Sequence, residues 1–156
     1  MGPSETKLPR QAPQAVALVP ITRENVSAVC DLAVRDDQRE LVAPAAQTIA
    51  EAKVHEPGAF LRAIAADSKP VGVVWVQTDE PVPYLVRFMV DARSQGRGIG
   101  RAAVALVLGE MRAAGHRELE LSYVPAEGGA EAFWLGCGFE PTGRMHGDEV
   151  LVRMDL

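Results

Sequence analysis

Apolar residues in the first third of the chain change from a short run to helical spacing. The run "AVALVPI" at residues 15–21 contains β-branched residues and ends near Pro20, which predicts a first strand. The apolar residues after it recur at i, i+3, i+4 and i+7, which predicts a helix. That helix would begin at a Thr22 cap and run to about Arg35, with these apolar members: Val26, Val29, Cys30 and Ala33.

The middle third predicts a second helix and then three strands. Residues 35–52 continue as a broken or second helix, with Pro44 near its start. Residues 59–67 and 71–79 are apolar runs separated by the turn sequence "DSKP", which predicts a strand hairpin. Residues 84–90 are mostly apolar at both alternating sets of positions, which is typical of a strand at the centre of a sheet.

The last third completes a single domain. Residues 100–115 are nearly apolar all round, which predicts a buried helix that packs on the sheet and ends at Gly115. The element order is β-α-α-β-β-β-α-β-α-β-β, which predicts one α/β domain with a mixed sheet over residues 15–156. The polar, proline-rich residues 1–14 are predicted to be a disordered tail. Three patterns close the chain: a strand over 117–124, a helix over 128–138, and a hairpin of 139–145 with 149–156.

The composition narrows the class of protein. Of the 156 residues, 47% are hydrophobic and 24% are charged, which is ordinary for a soluble domain. The net charge of −5 argues against a nucleic-acid partner. The two cysteines are far apart and the three histidines are scattered, so we expect neither a metal site nor a disulfide framework. No apolar run reaches the roughly 20 residues that span a bilayer. We therefore expect a cytoplasmic protein with no membrane partner.

Three glycines at alternate positions, Gly96, Gly98 and Gly100, lie between the predicted central strand and the long apolar helix. The first N–H groups of a helix have no partner within the helix, and the helix dipole makes that end electropositive. Glycines allow a phosphate to approach the backbone, and Arg97 and Arg101 add positive charge. The segment therefore predicts a pyrophosphate site, the alternative being a plain glycine-rich connector.

A dinucleotide site is a second alternative for this segment. Residues 98–103, "GIGRAA", fit the pattern G-x-G-x-x-A, and Glu120 lies near the place of a ribose-binding acid. In that fingerprint the first glycine follows the strand directly, whereas seven residues separate Val90 from Gly98 here. The spacing therefore favours a different phosphate ligand.

The same segment carries a family resemblance. "QGRGIG" at residues 95–100 is similar to the Q/R-x-x-G-x-G/A signature of the GNAT superfamily of acyl-CoA N-acyltransferases. The later "AEAFWLGCGF" at residues 130–139 also falls in the family's order, and the resemblance covers about residues 16–156. It implies a central, mixed, mostly antiparallel sheet flanked by helices and splayed between the fourth and fifth strands. It also implies acetyl-CoA as co-substrate, and a homodimer.

The resemblance assigns roles around acetyl-CoA. The loop amides would hold the pyrophosphate, the strand before the loop would bind the pantetheine arm through its backbone, and an N–H near Val90 would serve as the oxyanion donor. Trp134 would form a wall against the arm. The residues implied for acetyl-CoA are Met89, Val90, Gln95, Gly96, Arg97, Gly98, Ile99, Gly100, Arg101, Phe133 and Trp134.

The chemistry requires a neutral amine and a proton donor for the departing thiolate. An alkylamine of pKa about 10.4 costs about 4.6 kcal/mol to deprotonate at pH 7. Many relatives carry a tyrosine where this chain has Trp134, and some carry a glutamate where it has Val86. Tyr123, at the end of the strand that borders the expected cleft, is the candidate catalytic residue in their place. The two departures leave open a non-catalytic acyl-CoA-binding module.

The acceptor is predicted from the first helices. Residues 34–52 resemble the matching stretch of bacterial spermine/spermidine acetyltransferases, which implies a small cationic amine such as a polyamine as the acceptor. The implied reaction is direct attack of that amine on acetyl-CoA in a ternary complex. Glu51 is a further carboxylate that could pair with the amine, beside the residues predicted to bind it: Asp37, Gln38, Glu40 and Tyr84.

Overall fold

The computed structural model of the chain describes residues 15–126 and 129–156. The predicted tail, residues 1–14, lies outside them. The described residues form seven strands, four helices and two 3₁₀ turns. The strands are β1 Val16–Val19, β2 Ala59–Ala66, β3 Lys69–Gln77, β4 Tyr84–Val90, β5 Glu118–Tyr123, β6 Glu140–His146 and β7 Glu149–Asp155. The helices are α1 Val26–Cys30, α2 Ala45–Val54, α3 Ile99–Ala113 and α4 Glu131–Gly136, and the 3₁₀ turns are Asp36–Gln38 and Ala92–Ser94.

The seven strands form one sheet in the order β1-β2-β3-β4-β5-β7-β6. Every neighbouring pair is antiparallel except β4 and β5, which run parallel and share a single registered pair, Tyr84 with Glu120. The Glu120 N–H also donates to the Pro83 carbonyl at 3.0 Å. Beyond this point the two strands diverge. The predicted mixed sheet, its central fourth strand and the splay after it are therefore confirmed.

Two hydrophobic clusters cover the two faces of the sheet. The larger cluster packs α3 and α4 on one face, through Val104, Val107 and Leu108 of α3 and Leu119, Leu121 and Tyr123 of β5. The smaller one packs α1 and the start of α2 on the other face. The prediction that α3 is apolar all round and buried was wrong in part, because its outer face, including Leu106, is exposed. Among the described residues, no helix combines the length and apolar character needed to cross a membrane.

The first helix is much shorter than the predicted span from Thr22 to Arg35. Thr22 does not cap it; instead the Asn25 carboxamide accepts the Thr22 N–H at 2.7 Å, and the helix begins at Val26. It ends at Cys30 because the next segment is drawn toward the loop after β4. There the Ala33 N–H donates to Asp91 Oδ1 at 3.0 Å, and the Ala33 carbonyl accepts the Ala92 N–H at 2.8 Å.

The other predicted elements are confirmed with small shifts. The "DSKP" turn joins β2 to β3, with positive φ at Asp67 and Ser68. Gly115 follows the end of α3 with φ of +89°, as expected of a terminating glycine. Helix α4 covers six residues of the predicted 128–138. Residues 127 and 128 lie outside the described part of the chain.

Candidate active site

The divergence of β4 and β5 opens a cleft with a volume of about 890 Å³. Its walls come from both strands, from the segment between the first 3₁₀ turn and α2, from the glycine loop and from α4. Glu149 of β7 closes one side. A split in the middle of a sheet thus provides one continuous opening that touches both predicted ligand regions.

The glycine loop lies at one end of this cleft. Gly96 and Gly98 have φ of +76° and +80°, a conformation that L-residues with a Cβ adopt at a cost. A Cβ at either position would meet no atom within 4 Å, so these two glycines serve the backbone conformation and leave open space beside it. Helix α3 begins at Ile99, directly after them, and its first N–H groups have no partner within the helix. This donor set suits an anionic phosphate group.

The side chain of Gln95 connects the loop to the rest of the cleft. Its Nε2 donates to the Val90 carbonyl at 2.9 Å and to Gln38 Oε1 at 2.9 Å. Gln38 in turn accepts the Arg35 N–H through the same oxygen, which closes the first 3₁₀ turn. The predicted cofactor residue Gln95 and the predicted acceptor residue Gln38 are therefore in direct contact.

The backbone of β4 presents alternate residues to the cleft. The Asp91 N–H donates to the Val71 carbonyl at 2.7 Å, which turns the backbone of Asp91, and by alternation that of Met89, toward β3. The backbone groups of Val90 and Phe88 face the opening instead. The prediction that the Met89 backbone binds the pantetheine arm was wrong, since the antiparallel ladder with β3 uses its backbone groups. The Met89 side chain does line the cleft.

Strand β4 carries a bulge at Val86. Trp75 is opposite Arg87 and Val76 is opposite Leu85, so Val86 has no partner on β3. A bulge bends its strand and increases its twist, which helps to turn β4 away from β5. The residue that replaces the glutamate of some relatives therefore sits at the point where the cleft opens.

An aromatic cluster forms the wall on the α4 side. Phe88 and Phe133 stack with ring centroids 5.9 Å apart, and Trp134 packs edge-on against Phe133 at 4.8 Å. Trp134 also contacts Phe139 and is buried. A Cβ on Gly100 would come within 3.3 Å of the Phe133 ring, so the helix start needs glycine there for close packing. Phe133 and Trp134, which the segment "AEAFWLGCGF" predicted to lie beside acetyl-CoA, thus form part of the cleft wall.

Tyr123, the predicted catalytic residue, lines the cleft and is buried on the α3 side of the sheet. Its hydroxyl donates to Glu131 Oε1 at 3.2 Å. Burial, with added effects from the hydrogen bond and the negative charge of Glu131, raises the pKa of the Tyr123 phenol. The phenol therefore stays protonated at neutral pH and keeps a proton to donate.

Only two of the four residues predicted to bind the acceptor line the cleft. Gln38 and Glu40 line the cleft, whereas Asp37 and Tyr84 are not among its lining residues. Asp37 is paired with Arg35 at 3.2 Å. The Tyr84 hydroxyl is hydrogen-bonded to Ser122 Oγ, which also lines the cleft.

Glu51, the further candidate for binding the amine, is paired within the protein. It accepts from Arg87 Nη2 at 2.9 Å, across the gap between α2 and the bulged part of β4. Arg87 lies near the Trp75 ring, with its guanidinium carbon 6.0 Å from the ring centroid. Glu51 therefore holds Arg87 in place and has its charge neutralised by it.

Sequence reasoning missed three polar side chains of the cleft. Ser122 and Glu149 lie on neighbouring strands and are joined by a hydrogen bond from Ser122 Oγ to Glu149 Oε2 at 2.7 Å. Arg87 lies on the third strand involved. No sequence motif assigned a role to any of them. The usable signal was that Glu149 begins the second strand of the predicted last hairpin, beside the strand that borders the cleft.

The side chains that line the cleft include charged groups of both signs that have no partner of opposite charge. Three lining arginines have carboxylate partners: Arg35 with Asp37, Arg39 with Asp36 and Arg87 with Glu51. Among the described residues, the fourth, Arg101 of α3, has no such partner, and neither Glu40 nor Glu149 has a cationic one. The uncompensated charge of the cleft lining is thus positive at Arg101, beside the glycine loop, and negative at Glu40 and Glu149.

Comparisons with known proteins agree with this geometry. Residues 26–139 match the family model described as "Acetyltransferase (GNAT) family". The chain is 35% identical over 119 residues to an aminoglycoside N(6′)-acetyltransferase type 1 from Stenotrophomonas maltophilia, a match that covers 70% of this chain and 72% of the relative.

Two solved structures extend the likeness to the whole fold. An acetyltransferase from Thermus thermophilus matches with a TM-score of 0.73 at 19% identity, over 90% of this chain and 97% of that one. The PaiA N-acetyltransferase from Thermoplasma acidophilum, solved in complex with coenzyme A, matches with a TM-score of 0.73 at 12% identity, over 91% of this chain and 99% of that one. At these identities the likeness establishes the fold.

The chain belongs to the GNAT family of acetyltransferases. It is an acetyl-CoA-dependent N-acetyltransferase, which decides against both a non-catalytic module and a dinucleotide-binding domain. The sheet gives the physical reason against the latter: only β4 and β5 are parallel, so the repeated β-α-β units of that fold are absent from the described part of the chain.

Proposed function

We propose that the protein acetylates a primary amine of a small molecule that carries several ammonium groups. The observation that carries this proposal is that two carboxylates lining the cleft, those of Glu40 and Glu149, have no cationic partner among the described residues. A carboxylate without a cationic partner attracts an ammonium group, and two of them favour a polycation over a monoamine.

The acetyl donor occupies the positive end. The amides of the glycine loop and the start of α3 hold the pyrophosphate, with Arg101 adding charge; the Val90 and Phe88 backbones bind the pantetheine arm; and Phe133 and Trp134 flank it. The amine then attacks the thioester directly in a ternary complex, since one continuous cleft is lined by both regions. Tyr123, on the α3 face, donates a proton to the departing thiolate.

Two acceptor classes fit this charge pattern. The aminoglycoside N(6′)-acetyltransferase relative supports an aminoglycoside. The resemblance of residues 34–52 to polyamine acetyltransferases supports a linear polyamine. Both are compact polycations with a primary amine at an end, and both would place further ammonium groups against Glu40.

A thiol-release assay with acetyl-CoA tests the proposal. The acceptors are spermidine, kanamycin A, butylamine and a lysine-containing peptide, each with its product identified by mass. We expect kcat/KM for at least one polycation to exceed that for butylamine by about tenfold or more, which corresponds to one additional ion pair of about 1.4 kcal/mol. Equal turnover of butylamine and both polycations would reject the polycation class.

Glu40→Gln is the matched variant for the same assay. Because Glu40 is exposed, its loss should raise KM for the preferred polycation several-fold and leave KM for butylamine unchanged. Asp36→Asn is the control, since Asp36 is also exposed but is already paired with Arg39.

A further inference from the structure

A chain of hydrogen bonds connects three neighbouring strands at the point where β4 and β5 are still paired. The Tyr84 hydroxyl of β4 is bonded to Ser122 Oγ of β5, and Ser122 Oγ is bonded to Glu149 Oε2 of β7. The three residues come from three adjacent strands, and the chain bridges β4 and β5 near their single registered pair. It therefore sits where the two strands begin to diverge.

The two hydrogen bonds of this chain run in one direction, from Tyr84 to Ser122 and from Ser122 to Glu149. A carboxylate only accepts hydrogen bonds, so the Ser122 hydroxyl donates to Glu149. Ser122 then has no proton for Tyr84, and the Tyr84 hydroxyl donates to Ser122 Oγ. Burial raises the pKa of Tyr84, which keeps that phenol protonated and preserves the direction. Ser122 thus donates to one oxygen of Glu149, Oε2, and Tyr84 in turn donates to Ser122 and fixes its hydroxyl.

The other oxygen, Oε1, remains available. Glu149 lines the cleft and is half-buried, and within the described ranges no hydrogen-bond donor is bonded to Oε1. The ionisable groups around the chain are Glu120 of β5, which is paired with Arg144 of β6 at 3.4 Å, and His146 of β6, which lies opposite Glu149 in the strand register and whose ring is 5.8 Å from that of Tyr84. Among the described residues, no side-chain hydrogen bond or ion pair joins any of these groups to Glu149. A fixed, charged acceptor thus faces the cleft with one oxygen free.

The chain lies on the opposite face of the sheet from Tyr123. Residues of a strand alternate between faces, so Ser122 points away from the α3 side on which Tyr123 and Leu121 are buried. The proton acceptor for an incoming amine and the proton donor for the thiolate are therefore separated by the sheet itself. Val86, at the bulge, provides no carboxylate on β4, and Glu149 is the carboxylate that reaches the cleft from β7.

We propose that Glu149 is the general base of the reaction, held in place by Tyr84 and Ser122. The acceptor ammonium transfers one proton to Glu149 Oε1, and the neutral nitrogen attacks the thioester carbonyl. The C–N bond forms, the C–S bond breaks, and coenzyme A leaves as a thiolate that takes up a proton. The nitrogen loses a second proton as the amide forms. Of the two protons released, one balances the proton taken up by the thiolate and the other passes to solvent as Glu149 returns to its charged form, so one ammonium ion and one thioester yield one amide, one thiol and one proton. Ser122 and Tyr84 are positioning residues.

This role rests on the proposed acetylation of an amine, and its test uses Glu149→Gln. Glutamine keeps the size and accepts from Ser122, but cannot take a proton. We expect kcat to fall about 100-fold at pH 7, with KM for the acceptor raised several-fold by the lost negative charge and calorimetric acetyl-CoA affinity unchanged. The rate of the wild type should be nearly independent of pH between about 6 and 9, whereas that of the variant should rise tenfold per pH unit, because it depends on amine that is already neutral.

Two further variants separate the base from its support. Ser122→Ala leaves the carboxylate but removes its donor, so we expect about a tenfold loss of kcat with the flat pH profile retained. Glu120→Gln is the matched control, since this carboxylate lies two residues from Ser122 on the same strand face and is occupied by Arg144; its rate should stay within about twofold.

The outcomes distinguish this role from the polycation proposal. Butylamine is used as an acceptor beside spermidine and kanamycin A, because proton removal is needed for any primary amine. If only butylamine is acetylated, the polycation proposal fails while the Glu149 variants still report on the base. If Glu149→Gln raises KM for polycations and leaves kcat and the pH profile unchanged, Glu149 binds ammonium and is not the base. An unchanged rate with every acceptor overturns both roles.

Discussion

The two ends of the cleft are built in different ways. The end that we propose for acetyl-CoA, called the acetyl-CoA end below, is one continuous segment, residues 90–101, with two glycines of positive φ and the start of α3. The part that we propose for the acceptor, called the acceptor end, is lined by side chains from the first 3₁₀ turn, the segment before α2, and strands β4, β5 and β7. A backbone site depends on local conformation, whereas a side-chain site depends on how distant elements pack.

The difference predicts different responses to substitution. At the acetyl-CoA end a single methyl group in the wrong place should disturb binding, although it touches nothing. At the acceptor end the partners of a side chain should decide its effect. The following variants test this contrast, in order of decreasing expected effect.

Gly98→Ala should weaken acetyl-CoA binding the most. Alanine at φ of +80° costs about 1–2 kcal/mol. We expect the loop of the free variant to adopt another backbone conformation, so that acetyl-CoA binding must supply the energy to return it to the strained one. We expect about a tenfold weaker Kd by calorimetry. Gly109→Ala is the matched control, since its Cβ also meets no atom within 4 Å but its backbone is helical.

The control should behave in the opposite way. Alanine in place of glycine within a helix stabilises it by about 1 kcal/mol, so Gly109→Ala should raise Tm and leave the Kd of acetyl-CoA unchanged. If the two variants bind acetyl-CoA equally well, the positive φ at Gly98 is not needed for the site. The backbone interpretation of this end would then be wrong.

The same contrast explains how far the sequence could be interpreted. The glycine loop was predictable because its conformation, its amides and the helix it begins are all local to "QGRGIG". The sheet was predictable because alternating runs and turns define each strand, as "DSKP" does between β2 and β3. The mixed, mostly antiparallel sheet and the splay between its fourth and fifth strands were implied by family resemblance and then confirmed.

The acceptor end was only partly predictable. Glu51 and Asp37 were plausible ligands by residue type, but packing paired each with an arginine. Glu149 carried no local signal, because its importance comes from lying beside Ser122 on a strand far along the chain. The first helix was predicted too long because its periodicity continued, while the bonds from Ala33 to the loop after β4 ended it.

Gln95→Ala should weaken the binding of both acetyl-CoA and the acceptor, each by less than Gly98→Ala weakens acetyl-CoA binding. Its carboxamide is bonded both to the Val90 carbonyl and to Gln38, so its removal frees the loop and the first 3₁₀ turn together. Each neutral hydrogen bond contributes about 1 kcal/mol, and we expect KM for acetyl-CoA and for the acceptor each to rise about three- to fivefold.

A double-mutant cycle with Gln38→Ala measures the connection directly. If Gln95 and Gln38 act through their mutual bond, the double variant should lose less free energy of binding than the sum of the single variants. Strict additivity in both KM values would show that the two ends respond independently. Ser94→Ala, one residue away, is the control and should change neither KM by more than about twofold.

The smallest expected effect is a change in the ionisation of Tyr84. The chain has two tyrosines, so in a Tyr123→Phe background the tyrosinate absorbance reports Tyr84 alone. Burial raises the pKa of this phenol most, and the negative charges of Glu149 and then Glu120 add to the rise. Glu149→Gln should therefore lower the pKa of Tyr84, and Glu120→Gln should lower it less.

The sign of the stability effect follows from the same shift. A phenol whose pKa is raised by folding favours the folded state fully below its ordinary pKa of 10.0, and that contribution is lost as the pH rises through the folded value. The free energy of unfolding should therefore fall above about pH 10, and fall less steeply in Tyr84→Phe. If Glu149→Gln left the Tyr84 titration unchanged, the chain from Tyr84 through Ser122 would not end at Glu149. The acceptor end would then lack the fixed carboxylate on which the contrast between the two ends depends.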